Sequence, residues 1–86
     1  MDQHLMRAIL ETIDNMDINE LASIHHPLEI EGFEQDEVRE VAQRLDEEGY
    51  IKITMEPVEP EGPERAIPVG LRPKGRRKLA EILEEQ

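Results

Sequence analysis

The sequence predicts a small α+β domain, and three stretches carry that prediction. From Phe33 to Glu48 apolar residues recur at helical spacing, and Gly49 closes the run. From Tyr50 to Met55 the pattern changes to β-branched and aromatic residues with an alternating tail, which reads as a strand. After an interruption rich in proline and glutamate, a second extended segment leads into a last helical run. Eighty-six residues make one domain with a small core, since a chain of this length buries only about 60–65 per cent of its unfolded surface.

In chain order, residues 2–15 place Leu5, Met6, Ile9, Leu10 and Ile13 on one helical face, with Asp2 near the positive end of the dipole. Ile18 to Ala22 reads as a short second helix, cut off before Pro27. Leu28 to Glu31 alternates apolar and acidic residues, the pattern of a short strand, and Gly32 turns the chain into the central helix. There Val38, Val41, Ala42 and Leu45 form the apolar stripe, with Phe33 as an entry staple and the Glu34–Glu37 spacing of a capping box. At its end, Gly49 suits a left-handed closing residue and Tyr50 the apolar residue that packs back on the last turn.

The stretch Glu56 to Glu64 holds three prolines, one glycine and four glutamates, and is read as an irregular hairpin tip. Arg65 to Leu71 returns as the second strand, with Pro68 marking an edge or a bulge. Pro73 suits the first turn of a last helix whose stripe is Leu79, Ile82 and Leu83.

An amphipathic helix ending in Leu45-Asp46-Glu47-Glu48-Gly49-Tyr50-Ile51 and running straight into a strand resembles the recognition helix and first wing strand of winged helix-turn-helix proteins. Leu71 to Leu79 resembles the Leu-Thr-x-x-Gly-x-x-x-Leu segment that follows the wing in many winged-helix regulators, except that Arg72 stands in place of the capping threonine. The run Leu28 to Phe33, with the acidic helix start and the Gly-Tyr-Ile ending, is also similar to a family of small bacterial and phage proteins of unknown activity. The resemblance implies three to four helices, a two- to three-stranded β wing, and a role in transcription regulation through DNA.

Charge complicates that role. The net charge is −11 and unevenly placed: residues 1–64 carry 18 acids against 4 bases, residues 65–78 carry six bases and no acid, and residues 79–86 add three acids. An acidic protein gains little from counterion release on DNA unless one face is locally basic. Acidity also keeps a small domain soluble, or suits a high-salt cytoplasm. With no cysteine, no signal-peptide run and no membrane-length apolar stretch, the expectation is a cytoplasmic protein free of disulfides and membrane contact.

Two functions are compatible with this pattern. As a DNA-associated regulator binding double-stranded DNA, the preferred expectation, the chain would use Arg65, Arg72, Lys74, Arg76 and Arg77 on phosphates, with Arg39 and Gln43 as base readers. The obstacle is seven acids against two arginines from Glu34 to Glu48, with Arg39 and Arg44 at helical spacing for pairing to Asp36, Glu40 or Glu48. As an acidic interaction module, the alternative, it would present Asp36, Glu37 and Glu40 to a basic protein partner, and homodimerisation is a further option. Paired His25 and His26 point opposite ways on an extended segment, so no metal or other cofactor is expected. No nucleophile–base pairing, phosphate loop or zinc signature occurs, and no enzyme is predicted.

Overall fold

The computed structural model describes residues 2–85, an α+β arrangement of three helices and one two-stranded antiparallel sheet. The order is α1 (Gln3–Asn15), α2 (Gln35–Glu47), β1 (Ile51–Pro57), β2 (Glu64–Leu71) and α3 (Pro73–Glu84). Helix α1 starts where Asp2 accepts the His4 and Leu5 N–H groups at 2.8 and 3.2 Å, a side-chain cap at the positive end of the dipole. Its stripe, Leu5, Met6, Ile9, Leu10 and Ile13, is buried throughout. It meets Val38, Ala42 and Leu45 of α2, Ile51 and Ile53 of β1, Ala66 of β2, Leu79 of α3 and Leu28 in one core. Val41 and Ile82 are only half-buried, and Leu83, expected in the stripe of the last helix, is 46% exposed.

The two ends of α2 differ in construction. At the carboxyl end, the Gly49 N–H reaches the Asp46 carbonyl and the Tyr50 N–H the Leu45 carbonyl, while Gly49 sits at φ +84. Both bonds of a Schellman closure are therefore made, and the chain leaves α2 directly into β1. At the amino end Glu34 occupies the cap position without a side-chain bond, so the expected capping box does not form. A glutamate carboxylate is one methylene longer than that of aspartate and makes a poorer cap.

The hairpin has one register shift, between Lys52 and Ile53: Lys52 faces Gly70 and Ile53 faces Pro68, leaving Val69 as the extra residue. Buried Pro68 cannot donate to a ladder, and it lies at this irregularity, as its chemistry predicts. The strands reach further than the sequence suggests. Glu56 and Pro57 belong to β1 and Glu64 to β2, which reduces the irregular tip to residues 58–63.

Two expected elements are replaced by simpler ones. In place of a helix over Ile18–Ala22 there is a single turn, in which Asp17 caps Asn19 and Glu20 and the Glu20 carboxylate accepts the Asp17 N–H. That reciprocal pair is a complete capping box, yet Ala22 at φ +60 stops the turn at once, and its N–H is spent on the Pro68 carbonyl at 2.7 Å. In place of a strand over Leu28–Glu31 there is irregular chain that turns at Glu31 and Gly32, with one bond to β2, from the Leu28 N–H to the Ala66 carbonyl. The sheet thus has two strands among the described residues.

The start of α3 rests on the end of α2. Gly75 is buried so closely against the Tyr50 carbonyl that a Cβ there would stand 2.0 Å from that oxygen. The same carbonyl accepts the Arg72 N–H at 3.0 Å. Pro73 occupies the first turn of α3, as expected.

Candidate functional site

The six cations clustered in sequence do not form one surface. Arg65 lies near the tip end of β2, facing Glu56, whereas Arg72 follows Leu71 at the hairpin base. Six residues of extended chain lie between them, a span of roughly 20 Å. Most are already engaged. Arg65, only 13% exposed, holds Glu29 at 2.9 Å, and Arg76 holds Asp14 at 3.2 Å. Lys78 pairs with Glu81 at 3.8 Å.

Arg72 and Lys74 direct their charges at backbone. The Arg72 Nε donates to the Ile51 carbonyl at 3.3 Å, and the Lys74 Nζ donates to the Glu48 carbonyl at 2.7 Å. Lys74 also lies 4.6 Å from the centre of the Tyr50 ring. A cation on the carbonyl of the residue that caps α2 offsets the negative end of its dipole, so this lysine supports the closure at Gly49. Arg77 is exposed and, among the described residues, has no carboxylate partner. With Tyr50, Lys74, Lys78 and Glu81 it lines a hollow of about 290 Å³.

The proposed base readers sit beside the hairpin tip. Arg39 donates to the Glu64 carbonyl at 3.1 Å and to Asp36 at 2.9 Å, and is held in place at both. Gln43 is exposed and shares a shallow hollow with Arg39, Met55, Pro63 and Glu64. Arg44 meets Glu48 only at 4.0 Å. Pairing of Arg39 and Arg44 with acids one turn away was legible from spacing; the anchoring of Arg39 to the hairpin was not.

The acids of α2 are left over. Asp36 is spent on Arg39, but Glu34, Glu37, Glu40 and Glu47 are exposed and form no ion pair among the described residues. Of the three acids assigned to a partner surface, Glu37 and Glu40 are therefore free, and Asp36 is tied to its own helix.

Beside the open end of α2 lies a feature that sequence reasoning missed. Leu28 to Phe33, with Gln35 and Val38, line an open crevice of about 500 Å³. Its signal was present in the alternation of Leu28, Glu29, Ile30 and Glu31, which reads equally well as a strand. His25 and His26 are exposed, and no three His, Cys, Asp or Glu side chains among the described residues are arranged to hold a metal ion. No helix among them is long and apolar enough to cross a membrane. Compared with known proteins, the chain matches no family model, no curated relative and no solved structure.

Proposed function

We propose that the chain is a winged helix-turn-helix scaffold used as an acidic protein-interaction module, with the exposed face of α2 presented to a basic partner. The order of helix, turn, helix, hairpin and helix supports the scaffold, as does the Leu28 bond to β2 where such a fold carries its first short strand. One observation carries the role: the free charge on α2 is carboxylate, whereas of the six clustered arginines and lysines Arg65 stands at the far end of the hairpin from the others and all but Arg77 are held by internal partners. Free carboxylates attract cationic surfaces at long range and repel phosphates.

The test is charge reversal at Asp36, Glu37 and Glu40 to Lys. The partner recovered by the wild-type protein in dilute buffer is expected to be lost from this variant, and lost from wild type as salt is raised. Retention of the partner by the variant overturns the reading. So does wild-type affinity for random duplex DNA that falls steeply with salt.

DNA association keeps one observation in its favour: Lys74, Arg77 and Lys78 border one hollow beside Tyr50 at the start of α3. If that surface carries phosphate contacts, Arg77→Glu removes duplex binding, because Arg77 has no internal carboxylate to satisfy.

A further inference from the structure

We infer that the crevice between the Leu28–Phe33 segment and the start of α2 seats an extended segment of a partner protein, with an aliphatic side chain at its centre and arginine or lysine beside it. This rests on the interaction-module reading and names the partner's chemistry.

Three features of the crevice fit that occupant. Its volume of about 500 Å³ holds an aliphatic side chain with its backbone, and the apolar surface it offers comes from half-buried Ile30 and Phe33, since Leu28 and Val38 are buried in the core. Glu31 lines it exposed and without an ion pair among the described residues, and free Glu34 follows three residues later at the cap position, outside the lining. Glu29, also on the lining, is already held by Arg65, so the free carboxylate of the lining is that of Glu31. An apolar centre bordered by carboxylate is complementary to an aliphatic residue with a cation beside it.

The backbone supplies the third feature. The N–H groups of Glu29, Ile30 and Glu31 have no hydrogen-bond acceptor within the described residues; Glu29 and Ile30 follow the Leu28 bond to β2, and Glu31 lies in the turn closed by the Phe33 N–H on the Ile30 carbonyl. An incoming chain can offer carbonyls to those of these groups that face outward while its alternate side chains enter the crevice.

The experiment follows backbone amide NMR shifts of the full chain during titration with a synthetic peptide carrying one central leucine between paired arginines. A second peptide has serine in place of leucine. Seating predicts shifts centred on Ile30, Gly32, Phe33 and Gln35, with the serine peptide about tenfold weaker because the buried aliphatic group is lost. Glu31→Lys is expected to weaken the leucine peptide about tenfold, while Glu59→Lys at the hairpin tip, an equal change in net charge, has little effect. Equal affinity of the two peptides, or equal effects of the two variants, overturns the proposal. Shifts confined to Glu37 and Glu40 overturn the crevice and leave the acidic module standing. Absence of binding in dilute buffer overturns the crevice proposal, while the acidic module stands or falls by the charge-reversal test above. Shifts at the crevice that depend on protein concentration without peptide overturn it in favour of a second copy.

Discussion

The two ends of α2 are built from the same kinds of residue and behave as opposites. The carboxyl end is closed: both Schellman bonds are made, Lys74 donates to the Glu48 carbonyl, and Gly75 of α3 fits against the Tyr50 carbonyl. The amino end is open, with a cap residue that makes no side-chain bond, free carboxylates and a crevice alongside. Orphan backbone groups at a helix end need partners. This fold satisfies them from within at one end and leaves them to solvent, or to a visitor, at the other. Rigidity and availability are thereby assigned to different ends of one element.

Substitutions can break or sharpen this contrast. The largest effect is expected from Gly75→Ala, whose methyl group would meet a backbone oxygen at 2.0 Å with no flexible side chain to give way. A loss of about 3 kcal/mol is expected, with the melting temperature falling by more than about 10 °C. A loss under about 1 kcal/mol would mean that the closed end is not tightly fitted.

Next comes Gly49→Ala, which places a side chain at φ +84 where there is otherwise room. About 1 kcal/mol of stability should go, read by urea denaturation, with the slope unchanged. At the open end Glu34→Ser should act in the other direction, because serine can cap where glutamate does not. A gain of about 0.5–1 kcal/mol is expected, and no gain would mean that the first turn is satisfied by other means. Least of all should come from Arg76→Ala. Its ion pair with Asp14 is 65% and 40% exposed, so the change in stability should stay within about 0.5 kcal/mol.

What could be read from the sequence follows the range of the interactions involved. The closure at Gly49, the burial of the α1 stripe, the irregularity at Pro68 and the placement of Pro73 each depend on residues close in the chain, and each was legible. The capping box Asp17-x-x-Glu20 is local too and forms as written, but a single backbone bond from Ala22 to Pro68 halts the helix it would begin. The fate of the cations was hidden for the same reason. Arg39 reaches Glu64 across 25 residues, Arg65 reaches Glu29 across 36, and Arg76 reaches Asp14 across 62. Six basic residues gathered in sequence looked like a surface, and folding gave several of them separate tasks. Gly75 fits the spacing of the segment that follows the wing, but the reason for a glycine there, the Tyr50 carbonyl, lies 25 residues away in the chain.

The chain has one phenylalanine, one tyrosine and no tryptophan. Phe33 lines the crevice at the open end of α2, and Tyr50 lies under the Lys74 ammonium at the closed end. Near-ultraviolet emission therefore comes from one phenol ring and monitors the closure alone, while upfield methyl resonances near the lone phenyl ring monitor the crevice. Loosening at either extremity can be followed by its own spectroscopic label, with no mutation introduced to supply one.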